Sequence, residues 1–366
     1  MDARARWTNP LGLSPREFAQ FCAVLHVDTP RKLRAVEVAC TVAHRYIAPF
    51  VIKNAVDMLI NLHAMVAANP RARVIFLGRD GYCLGDVVQQ LDPLFHNRYC
   101  GELHISRRTA DAALAVAEPW ADPLADSFRK PGPHREELTS IWTDLVGYAD
   151  DSNLYLDRDG AEFALVDTGF KGSVQEMLTA AYPNAVFHGH YLFYCAAADD
   201  RHTARKHGYA LHLDQPNTLD GRALREFVDD PALTFAHHDA IVALEDLLRG
   251  SDADIRLVDR QPVRSFLDDS SRAGIDPAKV AHQYRDAYLR QAVLAALARS
   301  VGTAVWSLHR ARLEHPQTWY AELTQRATVL RPQLHNWLAD RPADPALTHI
   351  LDSFVRRSDK DRWMAP

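Results

Sequence analysis

The chain lacks the cysteine pattern of a disulfide-bonded or zinc-binding protein. It has five cysteines, an odd number, and no two of them form a Cys-x-x-Cys pair. Small secreted domains usually carry even numbers of cysteines, and structural zinc sites need closely spaced ligands. The sequence therefore predicts reduced thiols in a cytoplasmic protein, at positions Cys22, Cys40, Cys83, Cys100 and Cys195.

An excess of basic residues and a long apolar run are also absent. The 42 Lys and Arg residues are outnumbered by 47 Asp and Glu residues, which gives a net charge of −5. This balance is unlike that of a nucleic-acid-binding domain. Residues 1–18 lack the apolar core of a signal peptide, and the longest apolar stretch is interrupted by Lys53, Asn54 and Asp57. We therefore expect neither a nucleic-acid partner nor a membrane segment.

The order of the predicted elements indicates an α/β fold. Apolar residues have helical spacing over residues 14–69 and 222–366, whereas strands alternate with helices over residues 74–213. Strands separated by helices favour a mainly parallel sheet with both faces covered. The predicted segments are a helical lead (1–70), a phosphate-binding α/β core (71–215) and a helical C-terminal region (216–366). About five strands are expected, at Val74–Gly78, Leu103–Ser106, "NLYL", "EFALVD" and "AVFHGHYLFY".

The stretch "VIFLGRDGYCLGDVV" places a polar junction between a predicted strand and a predicted helix that starts at Gly81. Free backbone N–H groups and the helix dipole at such a junction favour an anion. Glycines would let the backbone approach that ligand closely. The alternative is a capped helix, with Asp80 as the cap and Arg79 in solvent. The same tripeptide at Arg158, Asp159 and Gly160 is interpreted as a hairpin turn. The candidate ligand-binding residues at the first junction are Gly78, Arg79, Asp80 and Gly81.

A second strand–loop–helix junction occurs in "FALVDTGFKGSVQEML". Its loop combines two glycines, a lysine and a serine at a helix start, where N–H groups, a hydroxyl and an ammonium can converge on phosphate. The order of a Walker A loop is absent. The alternative is an ordinary turn in which Ser173 caps the helix. The candidate residues are Asp167, Thr168, Gly169, Lys171, Gly172 and Ser173.

Two further groups of polar residues lie between and beyond these junctions. The stretch "HISRRTA" ends a predicted strand with Ser106, Arg107 and Arg108, which either clamp phosphate oxygens or lie in solvent. His188 and His190 share one strand face and either bind a metal or have local partners. No third ligand has suitable spacing, so we expect no structural zinc or iron.

Five motifs of this chain resemble, in order, those of an uncharacterised bacterial family often fused behind a haloacid-dehalogenase-like domain. They are "RYIAPFVIKNAVDML", "FLGRDGYCLGDV", "HISRRTA", "VDTGFKGSVQEML" and "IVALEDLLRG", over roughly residues 45–250. Ala48 stands where the family tends to have glycine, and the segment after Glu245 is unusual. Dehalogenase-type hydrolysis needs the motif DxDGT, and aligning Asp80 with its second aspartate leaves Gly78 in place of the nucleophile.

The order of elements also resembles type I phosphoribosyltransferases over some 120 residues. In that fold, acidic residues at a strand end hold ribose hydroxyls, and a loop rich in threonine and glycine cradles the 5′-phosphate. Asp167 aligns with the second acid, whereas Val166 replaces the first acid, and Lys171 and Val174 replace the two threonines.

The phosphoribosyltransferase resemblance implies a transferase that uses phosphoribosyl pyrophosphate with Mg²⁺ and an unknown acceptor. Asp167, Asp80 and Arg107 would be catalytic, and Asp80 would reach Mg²⁺ through the ligand. The pyrophosphate would meet Gly78–Gly81 with Arg107 and Arg108, and Glu245 would lie near the acceptor. The alternatives are a dehalogenase-like phosphate-ester hydrolase and a non-catalytic nucleotide or sugar-phosphate sensor. A phosphorylated small molecule is the expected partner, and a homodimer is an open alternative to a monomer.

Overall fold

The computed structural model describes residues 9–103, 105, 110, 154–156, 158–215, 219–248, 257–258, 261–262 and 284–354. The chain divides into two compact units. One consists of Met1–Lys53, Arg225–Asp254 and Ser265–Pro366, and the other of Asn54–Leu224 and Ile255–Arg264. We call them the helical unit and the sheet unit.

The helical unit is built from both ends of the chain. Ser14 and Glu17 form a capping box at the start of its first helix, as the sequence predicts. A π-helical turn, Ala43–Ile47, joins α2 to α3, and α3 continues into the sheet unit. The other helices of the unit come from the C-terminal part of the chain. The helices are α1 (Pro15–Val24), α2 (Pro30–Val42), α3 (Ala48–Ala68), α7 (His238–Leu248), α8 (Ala287–Glu314), α9 (Trp319–Ala327), α10 (Leu330–Leu338) and α11 (Pro345–Phe354).

The sheet unit contains a five-stranded parallel sheet in the order β2-β1-β3-β4-β5. This architecture confirms the predicted α/β class and the mainly parallel sheet. A two-stranded antiparallel pair lies outside it. In chain order the elements are β1 (Arg73–Leu77), α4 (Gly78–Leu91), α5 (Pro93–Tyr99), β2 (Cys100–Leu103), β3 (Glu162–Phe170), α6 (Ser173–Ala181), β4 (Val186–Cys195), β5 (Lys206–Leu213), β6 (Leu257–Val258) and β7 (Gln261–Pro262).

Helices cover both faces of this sheet. Alternate strand residues point to opposite faces. Leu165 and Phe187 pack with Met177 and Leu178 of α6 in one apolar cluster. On the other face, a methyl group built on Gly85 of α4 would lie 3.0 Å from the ring of Phe76. Because both faces are covered, the central strands are apolar along most of their length, as parallel strands usually are.

Two strand predictions need correction. The strand expected at Leu103–Ser106 is Cys100–Leu103. The "NLYL" stretch is not a strand, because Leu154–Leu156 is irregular and Tyr155 has a φ of 42°. The fifth strand is instead β5. The second "RDG" is a turn, with Gly160 at a φ of 68°. It is not a hairpin turn, because no strand precedes it at Leu154–Leu156. Residues 104, 106–109 and 111–153, which follow β2, lie outside the described residues.

All five cysteines are free thiols, as predicted. Two helical stretches of the described chain are long and apolar enough to cross a membrane, Pro30–Ala68 and Ala287–Glu314. Half of the most apolar part of each is buried inside the protein. Core helices of water-soluble proteins have the same property, so the expected lack of a membrane segment stays a prediction.

Candidate functional site

Both predicted junctions lie at the carboxyl edge of the same sheet. β1 pairs directly with β3, with Phe76 opposite Val166, so both strands run to the same edge, where β1 ends at Leu77 and β3 continues to Phe170. In a doubly wound sheet of this strand order, the switch point lies between β1 and β3, and ligands bind in the crevice there. The backbones of Asp80 and Asp167 therefore lie at one edge of the sheet. We call the space between the ends of β1 and β3 the ligand crevice.

The first junction is shaped by close packing of glycines. α4 begins directly after β1 at Gly78, which has a φ of 58°. A methyl group built on Gly81 would lie 2.8 Å from the Val166 carbonyl oxygen and 3.7 Å from the Asp167 Cα. Gly81 thus lets the start of α4 lie against the end of β3.

The predicted start of this helix at Gly81 is therefore wrong by three residues. Asp80 is the third residue of α4 and not its cap, and no side chain caps this helix. Glycine at position 78 can adopt the left-handed conformation that this abrupt start requires. The side chains of Arg79 and Asp80 lie outside the described part of the structure.

At the second junction, β3 continues past the predicted strand end at Asp167. The Asp167 Oδ1 accepts a hydrogen bond from the Thr168 N–H at 2.8 Å. Thr168 is buried within the strand, and Gly169 has a φ of 105°. A methyl group on Gly169 would lie 2.0 Å from the Phe193 carbonyl oxygen, so contact with β4 requires glycine here.

The turn into α6 consists of Lys171 and Gly172. Gly172 caps the helix with a φ of 72°, and no side chain takes part in the cap. The alternative in which Ser173 caps the helix is therefore wrong, since Ser173 is the first helical residue. The Lys171 Nζ lies 3.0 Å from Asp199 Oδ1 at the protein surface.

The structure does not test the remaining predicted site residues. Ser106, Arg107 and Arg108 lie outside the described residues. The preceding residue, Ile105, places its carbonyl oxygen 3.3 Å from where a Gly78 methyl group would be. Glu245 belongs to α7 in the helical unit, whereas both junctions belong to the sheet unit.

Sequence reasoning missed a cluster of buried charges beside the second junction. The Lys206 Nζ is fully buried and lies 2.5 Å from Glu176 Oε1 and 2.8 Å from Asp200 Oδ2. Lys206 begins β5, Glu176 lies in the first turn of α6, and Asp200 lies between β4 and β5. We call these three residues the Lys206 ion cluster. The sequence signal for this cluster is weak: Glu176 stands among apolar residues in "SVQEML".

Further polar side chains extend the Lys206 ion cluster. The Tyr194 hydroxyl donates to Asp200 Oδ2 at 2.8 Å, and His202 Nδ1 lies 2.8 Å from Glu176 Oε2. The Tyr191 hydroxyl donates to Gln175 Oε1 at 2.9 Å. Burial raises the pKa of Tyr191 well above its usual value, and the negative charge of Asp167 adds to the effect. Tyr191 is therefore a neutral hydrogen-bond donor at physiological pH.

The histidines of β4 lie on the opposite sheet face and have local partners. His188 Nε2 lies 2.9 Å from Glu162 Oε1, and His190 Nδ1 lies 2.7 Å from the Tyr209 hydroxyl. Burial lowers the pKa of His190 to about 3. No group of three or more His, Cys, Asp or Glu residues within the described chain is arranged to hold a metal ion.

Negative charges outnumber positive ones among the described side chains near the second junction. The described side chains there include two lysines but four carboxylates. Mg²⁺ bound to phosphate substrates commonly takes one or two protein carboxylates and fills its other positions from substrate and water. Asp167 at the crevice could supply one such oxygen. The four carboxylates belong to Asp167, Glu176, Asp199 and Asp200, and the lysines are Lys171 and Lys206.

Comparisons of this chain with protein-family models, with curated proteins and with solved structures give no match. The two resemblances stated above therefore stay predictions.

Proposed function

We propose that the ligand crevice binds a phosphorylated ribose donor and that the protein transfers the phosphoribosyl group to an acceptor. The observation that carries the proposal is the direct parallel pairing of β1 with β3, with Gly81 of α4 packed against the backbone at Val166 and Asp167. It brings the starts of α4 and α6 to one edge, where N–H groups favour two phosphate groups of one ligand. A donor with a 5′-phosphate and a pyrophosphate matches this arrangement.

In the proposed reaction, the bond between the anomeric carbon and pyrophosphate breaks, and its electron pair leaves with pyrophosphate. The acceptor's lone pair forms the new bond. Positive charge develops on the sugar ring as the bonds exchange, and a fixed negative charge nearby stabilises it. Asp167 would hold the ribose hydroxyls and supply that charge. Bound Mg²⁺ would neutralise the charge of the departing pyrophosphate.

The local charge supports a requirement for Mg²⁺. Carboxylates outnumber ammonium groups among the described residues around α6, where the 5′-phosphate would bind, so a ligand without a bound cation would be repelled there. A divalent cation bound to the ligand offsets that repulsion. We expect binding of phosphoribosyl pyrophosphate to be much weaker when Mg²⁺ is removed with a chelator.

Calorimetric titration with phosphoribosyl pyrophosphate, with and without Mg²⁺, tests the proposal. If the Lys171 ammonium leaves Asp199 and binds a phosphate oxygen of the ligand, Lys171→Ala should reduce the free energy of binding by about 1.5–3 kcal/mol. Asp80→Asn should weaken Mg²⁺-dependent binding strongly if Asp80 contacts the ligand-bound cation. Asp159→Asn is the matched control, because Asp159 stands in the second "RDG", in an exposed turn.

The products distinguish the alternatives. Pyrophosphate release that depends on an added acceptor supports transfer. Release of phosphate or pyrophosphate with water alone favours the hydrolase, and saturable binding without turnover favours a sensor. If the wild type binds no phosphorylated sugar, the proposal is wrong.

A further inference from the structure

The Lys206 ion cluster lies directly against the turn into α6. The Lys206 Nζ contacts the Lys171 carbonyl oxygen at 3.4 Å, in addition to its two carboxylate partners. A methyl group built on Gly172 would lie 3.1 Å from Lys206 Cε and 3.0 Å from the Tyr191 hydroxyl. The backbone of the turn therefore rests on the side chains of Lys206 and Tyr191.

The first turn of α6 is held from the same side. Gln175 is fully buried. Its Oε1 accepts a hydrogen bond from the Tyr191 hydroxyl, and its Nε2 donates one to the Phe187 carbonyl oxygen at 2.9 Å. Glu176 follows Gln175 and is bound to Lys206. Because no side chain caps α6, these buried contacts replace the usual cap in determining where the helix begins.

Stability alone does not account for this cluster. Removing charged groups from water costs free energy that the attraction between them only partly recovers, and apolar residues of similar volume are often at least as stabilising. The geometry instead ties three separate segments to one backbone turn. These segments are the start of β5, the first turn of α6 and the connection between β4 and β5.

We propose that Lys206 is a positioning residue for the ligand crevice, and this inference rests on the function proposed above. Lys206 holds the backbone from Lys171 to Ser173, so that the first N–H groups of α6 keep their positions for a phosphate group. A helix start without a side-chain cap has N–H groups without intrahelical partners, which suits them to an anion. Lys206 itself stays buried and acts through the turn.

The test is a variant in which the cluster is made neutral: Lys206→Met, Glu176→Gln and Asp200→Asn together. No uncompensated buried charge remains, so we expect it to fold. Amide hydrogen exchange measured without ligand should become at least ten-fold faster over residues 171–176 and stay unchanged over β1. Affinity for Mg²⁺-phosphoribosyl pyrophosphate should fall at least ten-fold. Glu162→Gln, which neutralises a carboxylate on the opposite sheet face, is the control and should leave residues 171–176 unchanged.

A second variant tests the same inference if the triple variant does not fold. Lys206→Arg keeps the positive charge but replaces the compact ammonium with a larger, planar guanidinium in a fully buried position, so exchange over residues 171–176 should again increase. Unchanged exchange over this segment in a folded variant would overturn the inference. Faster exchange in a protein whose wild type binds no phosphorylated sugar would support the role of Lys206 in the turn and reject the proposed function alone.

Discussion

The two faces of the sheet at β4 and β5 bury polar residues in opposite ways. Lys206 and His207 are adjacent in β5 and point to opposite faces. Lys206 pairs with carboxylates on the face covered by α6, whereas the ring of His207 makes an edge-to-face contact with Tyr209 on the other face. On β4, Tyr191 bonds to Gln175 of α6, while His190 bonds to Tyr209. The first face therefore buries paired charges, whereas the second buries the ring of His190 and leaves His207 exposed. We call them the charged face and the neutral face.

This difference predicts different weaknesses. Buried paired charges depend on each partner, because removing one leaves an uncompensated charge away from water. A buried neutral histidine depends on pH instead, because the unfolded chain takes up a proton that the folded protein excludes. The charged face is the one next to the ligand crevice.

The largest effect is expected when the charged face loses its ammonium. Lys206→Met leaves two buried carboxylates without their partner and should lower the free energy of unfolding by about 3–5 kcal/mol. Urea denaturation at pH 7 measures the change. Lys171→Ala, which breaks a partly exposed ion pair in the adjacent turn, should change it by no more than about 1 kcal/mol. Similar losses in the free energy of unfolding for the two variants would show that removing the buried Lys206 ammonium costs no more than removing an exposed one.

The neutral face should respond to acid. Burial lowers the pKa of His190 to about 3 in the folded protein, against an ordinary value of 6.5. Between these values the unfolded chain binds the extra proton, so stability is full above pH 6.5 and falls as the pH drops towards 3. The loss due to His190 should reach about 2 kcal/mol at pH 5.

The control is His190→Gln, whose amide can still bond to the Tyr209 hydroxyl. Denaturation at pH 7, 6 and 5 should show a shallower pH dependence in this variant than in the wild type. Parallel curves for the two proteins would mean that the pKa of His190 is the same in the folded and unfolded states.

The smallest effect concerns how tightly the charged face is packed. Gly172 and Gly160 both have a positive φ, but a methyl group on Gly160 meets nothing within 4 Å. Gly160→Ala should therefore cost only the left-handed backbone penalty, about 1 kcal/mol. Gly172→Ala should cost about 1 kcal/mol more, since its methyl group would crowd Tyr191 and Lys206. Equal losses would indicate that these side chains move aside freely.

The local patterns of the chain predicted the two junctions well. An apolar run followed by glycines and an amphipathic stretch is enough to indicate strand, turn and helix, because each signal is contained within some 15 residues. The "NLYL" prediction failed because so short a run carries no information about its neighbours. β5, "KHGYALHL", was not identified as a strand because its polar residues hide the alternation.

The Lys206 ion cluster could not be predicted from local patterns. Its members stand at positions 176, 200 and 206, in a helix, a connection and a strand, and each looks like an ordinary surface charge in its own segment. Only the parallel pairing of β4 with β5 brings Lys206 beside Gly189 and so beneath α6.

By itself, the sequence determined the α/β class, the free thiols and the two strand–loop–helix junctions, because these follow from periodicity, composition and turn residues. The tertiary structure decided that β1 and β3 are neighbours, that Gly81 packs against Asp167, and that a buried lysine supports the start of α6. These facts depend on strand order and on contacts between residues far apart in the chain, for which local patterns carry no physical signal.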